Sequence, residues 1–226
     1  MEKSPVIKNI FVIPSFIETY SEKYKDIEWK ASLMYASLYK NPQNYLLKEL
    51  KGPVTGYPKR KSIKGIQPDG QDKNQMIGNA VHGVAFNFVW AIWQPTKTSS
   101  CSSGQVLYDG YCFNIDQTTV SAVKAYTDAG LVVTGVLYGV PSFARRSCSG
   151  VVDPMFCAPT DAGSKDYGRF VGFIAHYFNG QNGHGRVADF VIHNEVNAAG
   201  YFNYGCAKNT CNVDTWTTVY ALSYNN

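Results

Sequence analysis

Three apolar runs constrain this chain most: Val81–Trp90 (VHGVAFNFVW), Leu131–Val140 (LVVTGVLYGV) and Val187–Ile192 (VADFVI). Each is rich in β-branched and aromatic residues, and none alternates cleanly with polar ones. Such near-continuous runs are expected of strands buried on both faces, as in a parallel sheet. Helical patterns separate them. Asp116 is a candidate N-cap, Val120, Val123 and Tyr126 share a face, and Gly130 gives the stop signal. The second pattern is stronger: Tyr167, Phe170, Val171, Ile174, Tyr177 and Phe178 recur at i, i+3, i+4 and i+7, and Asn179-Gly180 closes it. A short strand at Ile63–Gln67 and a short helix within Gln71–Ala80 precede the first run. Gln94–Asn114 reads as a long loop insertion, and Thr215–Tyr224 as the start of another helix. Strands alternating with helices predict βα units around a parallel sheet, in an α/β fold.

The leading segment differs. Residues 1–74 hold 13 Lys+Arg against 8 Asp+Glu, and residues 75–226 hold 8 against 9. Residues 1–60 are read as a β-rich segment and linker, with strands at Ile7–Ile17 and Trp29–Tyr39. The Lys59-Arg60-Lys61 run is short and reads as a solvated linker rather than a polyanion site. Residues 61–226 form the α/β part. A net charge of +4 is mild and predicts no nucleic-acid partner. No stretch approaches the ~20 apolar residues of a membrane span.

All six cysteines lie in the second part, as three close pairs in loop-like stretches: Cys101 and Cys112, Cys148 and Cys157, Cys206 and Cys211. An even count placed this way predicts three local disulfides and an extracellular or secretory-pathway location. No pair has the two-residue spacing of a zinc site. Ile10–Ile17 is short and broken by Pro14, so no convincing signal peptide is found, and the true N-terminus is expected to lie upstream. Gly183-His184-Gly185 precedes a strand and is no dinucleotide loop. Walker, G-x-S-x-G and H-E-x-x-H motifs are absent, so neither cofactor nor metal is expected.

In parallel α/β folds the C-terminal ends of the strands face the ligand. Asn87 and Trp90 close one strand here, Tyr138 ends another, and His193, Asn194, Glu195 and Asn197 close the third. A carboxylate directly after an apolar strand would be costly to bury unpaired. At a strand mouth it can be solvated and set to exchange a proton. The alternative for Glu195 is an ordinary solvated or ion-paired loop acid. His193 is more often a hydrogen-bonded structural residue than a catalyst.

The stretch from Lys61 to Tyr204 resembles a family of uncharacterised proteins, a domain of unknown function. That family's barrel is similar to the (β/α)8 barrel of clan A glycoside hydrolases. The segments that carry the resemblance are Lys64-Gly65-Ile66-Gln67, Val84-Ala85-Phe86-Asn87, Gly110-Tyr111-Cys112-Phe113-Asn114, Gly185-Arg186-Val187 and, most specifically, Ile192-His193-Asn194-Glu195-Val196-Asn197. The lead-in Ala36–Pro58 is similar too. The wider clan likeness rests on Asn194-Glu195 at the end of a fourth strand.

The resemblance implies an incomplete TIM-type barrel, about the first four βα units, after the short β-rich segment. It implies a retaining glycoside hydrolase acting on a carbohydrate, with Glu195 as general acid/base and Asn194 bonded to the sugar 2-hydroxyl. Asn87, Trp90, Trp93, Tyr138, His193 and Asn197 are the candidate substrate contacts. The alternative for the aromatics is core packing. One departure is decisive. The clan's nucleophile comes from a seventh strand, which 226 residues do not reach. Retaining chemistry needs two carboxyls about 5–5.5 Å apart. Asp189 is at the wrong end of its strand, roughly 20 Å off at 3.3 Å per residue, and Asp214 cannot be placed. The expectation is half an active site and an inactive chain. The competing expectation is a non-catalytic carbohydrate-binding or structural barrel.

Overall fold

The computed structural model describes residues 58, 61, 62, 64–68, 73–205, 216, 219 and 220. All lie in the compact unit Pro53–Asn226. The expected strands Ile7–Ile17 and Trp29–Tyr39, most of the basic run, the cysteines Cys206 and Cys211 and most of the helix at Thr215–Tyr224 lie outside the described residues.

The fold is mixed α/β, built on a parallel sheet of four strands: β1 (Gly65–Ile66), β2 (Gly83–Val89), β5 (Val132–Tyr138) and β6 (Val187–Ile192), in that spatial order. Helix α1 (Lys73–Gly78) joins β1 to β2. Helix α2 (Trp90–Trp93), strands β3 (Gln105–Tyr108) and β4 (Tyr111–Asn114) and helix α3 (Gln117–Asp128) lie between β2 and β5. Helix α4 (Asp161–Tyr177) joins β5 to β6. Strand order in the sheet follows chain order, so the described strands contain no point of reversal.

Both long helices start on side-chain caps, Asp116 as expected and Thr160 in addition. The Asp116 carboxylate accepts from the Thr118 N–H at 3.0 Å, and the Thr160 hydroxyl accepts from the Gly163 N–H at 2.9 Å. Gly130, at φ 80°, provides the left-handed stop after α3. Register then sorts the strands by face. Val84, Phe86 and Phe88 stand beside Val133, Gly135 and Leu137, and Gly135 and Leu137 beside Phe190 and Ile192. This face carries both helices. Phe86 meets Tyr126 of α3, while Phe88 meets Trp93 and Phe178. Burying each such side chain stabilises the fold by roughly 1.5–3 kcal/mol.

The opposite face carries Ala85, Asn87, Val89, Thr134, Val136, Tyr138, Asp189 and Val191. No described element covers it. Asn87 and Val191 are exposed and the rest half-buried. The apolar runs suggested two buried faces, so the structure corrects that expectation for the described residues.

The Gln94–Asn114 stretch is also a correction. It is not a plain loop but contains the antiparallel hairpin β3–β4, closed by Asp109 (φ 45°) and Gly110 (φ 80°). Positive φ at both central positions is the mark of a type I′ turn, whose twist matches the strands. The hairpin lies on α4. Phe113 stacks on Phe173 at 4.2 Å. Arg169 bonds Asp109 and Asp166, both at 2.6 Å, and Lys97 bonds Asp166 at 2.8 Å. Both cations lie over the ring of Tyr111, at 4.7 and 5.0 Å. The Cys101–Cys112 disulfide staples the hairpin, and Cys148–Cys157 closes part of the loop between β5 and α4.

Candidate functional site at the end of the sheet

Strand β6 ends at Ile192, and two non-glycine residues just beyond it take left-handed backbone: His193 (φ 60°) and Glu195 (φ 46°). Conformations of this kind cost of order 1–3 kcal/mol and persist where the surroundings enforce them. The surroundings of His193 do so. Its N–H donates to the Leu137 carbonyl at 2.9 Å and to the Tyr167 hydroxyl at 3.2 Å. The same hydroxyl donates to the Leu137 carbonyl at 2.7 Å. By strand alternation, His193 would follow Asp189 and Val191 onto the open face. Instead its ring stacks on Tyr167 at 4.2 Å, with Phe202 at 5.0 Å. Only 3% of the residue is exposed. Burial lowers its pKa to about 3, so the ring is neutral at physiological pH. Burial likewise raises the Tyr167 hydroxyl well above the usual phenol range.

The kink leaves Asn194 half-buried and Glu195 and Asn197 exposed. Glu195 stands in a tight series of turns: its carbonyl accepts from Ala198 N–H at 2.8 Å, and the Ala198 carbonyl accepts from Tyr201 and Phe202 N–H, both at 2.9 Å. This segment is docked on the loop between β5 and α4. Asn203 N–H donates to the Phe156 carbonyl at 2.9 Å, and the Asn203 carbonyl accepts from Ala158 at 2.7 Å. The Asn203 side chain donates to the Ser149 carbonyl at 3.1 Å and accepts from Gly205 N–H at 2.7 Å. Val152 N–H donates to the Gly200 carbonyl at 3.0 Å. A short 3-10 turn, Pro154–Phe156, holds Phe156 parallel to Tyr138, with centroids 6.2 Å apart, while Tyr201 meets Phe156 edge-on at 5.3 Å.

The structure thus divides the candidates. Asn194, Glu195 and Asn197 sit just past the end of β6, and Tyr138 ends the neighbouring strand on the open face. Asn87 points to that face, two residues before the end of β2. Trp90 and Trp93 do not join them. Val89 begins the single turn of α2, which carries both indoles into the core, where they are 0% and 3% exposed. Trp90 is enclosed by Phe143, Tyr167 and Phe170, and its N–H is satisfied by Gln94 at 2.8 Å. The expectation of sugar-facing indoles is therefore corrected to core packing. His193 is a buried structural residue here and is not available as a surface contact.

No sequence motif marks Phe156, Tyr201 or Asn203. Asp153-Pro154 signals a turn, and the Asp153 carboxylate does cap it at Met155 N–H, 2.8 Å. Nothing local marks the partnership between these two distant loops.

Among the described residues no group of three or more His, Cys, Asp or Glu side chains gathers as a metal site. No helix among them is long and apolar enough to cross a membrane. No curated protein and no solved structure matches the chain. A family model does, over residues 56–226, which takes in the whole sheet, both disulfide loops and the Asn194-Glu195 turn. The chain belongs to the family of unknown function DUF5722.

Proposed function

We propose that this chain carries the acid/base side of a retaining glycosidase-like site on a TIM-type barrel, with β1, β2, β5 and β6 as its first four strands. The observation that carries the reading is the exposed Glu195 just beyond the C-terminal end of the fourth parallel strand, next to Asn194. Strand order that follows chain order, with α3 and α4 on one face, supports a singly wound barrel rather than a doubly wound sheet. In this reading Glu195 protonates the departing glycosidic oxygen and then activates water. Asn194 holds the sugar 2-hydroxyl. The substrate is a carbohydrate, and the two disulfides support an extracellular or secretory setting.

Retaining turnover needs a second carboxyl about 5–5.5 Å away. Among the described strand ends Glu195 is the lone acid, and Asp189 lies inside β6, within 3.4 Å of Thr134. Turnover is therefore assigned to the protein with its second carboxyl in place. There, aryl-glycoside hydrolysis should fall about 10²–10⁴-fold on Glu195→Gln. Undiminished turnover in that variant overturns the assignment. The lone acid also favours a second reading, a non-catalytic carbohydrate-binding barrel. It predicts saccharide binding without hydrolysis even in the complete protein.

A further inference from the structure

Two loops meet at the rim of the sheet, and their aromatic residues form a corner that core packing leaves open. Tyr138 and Phe156 are half-buried and Tyr201 is 42% exposed. Phe156 lies parallel to Tyr138, and Tyr201 stands at 70° to Phe156, giving two walls nearly at right angles. Val152, 70% exposed, is on the same joined loops through its bond to Gly200. The corner adjoins the strand-end acid. Leu137 is level with Ile192, so Tyr138 is level with His193, two residues before Glu195. With about 4.8 Å between strands and at most about 3.6 Å per residue beyond the kink, the Cα atoms of Tyr138 and Glu195 lie within about 12 Å of each other. Tyr201 reaches Glu195 through two consecutive backbone bonds, by way of Ala198.

An exposed aromatic corner beside hydrogen-bonding groups suits a ligand with one apolar face and a hydroxylated rim. Its charge narrows the ligand further. The segments Val152–Phe156 and Asn194–Tyr201 carry two charged side chains, Asp153 and Glu195, and elsewhere on the β5–α4 loop the Arg146 cation is paired with Asp161 at 2.7 Å. An anionic sugar would be repelled there. We propose that Tyr138, Phe156 and Tyr201 form a stacking subsite for a neutral pyranose ring next to Glu195. The proposal rests on the glycosidase-like reading for the identity of the ligand as a sugar, and adds the residues and sugar class.

The test is titration calorimetry of the whole protein with cello-, xylo-, manno- and laminarihexaose, with hexagalacturonate as the charged comparison. At least one neutral hexasaccharide should bind, and hexagalacturonate should bind it at least tenfold more weakly. Tyr201→Ala should weaken the neutral ligand at least tenfold and Tyr201→Phe should restore it, with melting temperature unchanged in both. Absence of binding by every neutral hexasaccharide, equal binding by Tyr201→Ala, or preference for hexagalacturonate overturns the proposal. Glu195-dependent aryl-glycoside turnover with Tyr201-independent binding would sink the subsite alone. Tyr201-dependent binding with no Glu195-dependent turnover in the complete barrel would sink the catalytic reading alone.

Discussion

His193 lies flat on Tyr167, ring on ring at 4.2 Å and 12°. Within the same contact the Tyr167 hydroxyl receives the His193 N–H and donates to Leu137. The imidazole has no room for charge there. Its Nε2 finds no hydrogen-bond partner among the described residues, and its pKa falls to about 3. The unfolded chain regains an ordinary histidine near 6.5. Between these values the unfolded state binds the extra proton. Stability from this residue is therefore flat above about pH 6.5 and falls as pH drops toward 3, by up to about 1.4 kcal/mol per pH unit. Urea unfolding from pH 4 to 8 should show a steeper acid loss in the parent than in His193→Gln. Parallel curves would refute the assignment.

Removing the hydroxyl with Tyr167→Phe keeps the stack but deletes two bonds at the kink. Leu137 and the His193 N–H still have each other at 2.9 Å, so the loss should be modest, about 1 kcal/mol. Thermal unfolding measures it. Tyr167→Ala opens a cavity under the strand end and should cost more, roughly 3–5 kcal/mol by analogy with Phe→Ala.

Two helical glycines should respond oppositely to alanine. A Cβ at Gly163 would clash with the Ala144 carbonyl oxygen, so the first turn of α4 can approach that backbone only without a side chain. Gly163→Ala should destabilise by about 1–3 kcal/mol or more. At Gly78 nothing lies within 4 Å and φ is not positive, so alanine should be neutral or stabilising by up to about 1 kcal/mol. Chemical denaturation of the pair checks both signs.

Asn203 couples the Glu195 segment to the disulfide loop. Asn203→Ala leaves the Ser149 carbonyl and Gly205 N–H without their side-chain partner and should cost about 1–3 kcal/mol. Hydrogen exchange by mass spectrometry should quicken in both loops, Ser147–Phe156 and Asn194–Gly205. Strand β5 and helix α4 should keep their protection. Uniform quickening across the sheet would show instead that Asn203 supports the global fold.

Periodicity carried most of the architecture. The α4 stripe from Tyr167 to Phe178, the Asp116 cap and the Gly130 stop each depend on neighbours within a few residues, which a sequence displays directly. The Asp109-Gly110 hairpin was equally local. The surrounding Cys, Ser and Thr residues mask it, because their composition reads as loop. Trp90 and His193 failed for another reason. Trp90 follows Val84, Phe86 and Phe88 onto the helical face, so alternation itself sends it to the core, while His193 is turned off the open face by tertiary contacts. Trp90 packs there among Phe143, Tyr167 and Phe170. The hydroxyl of Tyr167, 26 residues from His193, holds the kink that draws the imidazole inward. The same distance hid Phe156 and Tyr201, whose meeting depends on Asn203 bridging two loops.

The Cys148–Cys157 bond ties residues nine apart within the long β5–α4 connection. The core on the helical face is complete without the side chains in that ring. Substitutions there can accumulate under little folding constraint, yet they alter what Phe156 and Val152 present at the rim. The loop behaves as an exchangeable faceplate: its outward side chains can change while the sheet beneath stays unchanged.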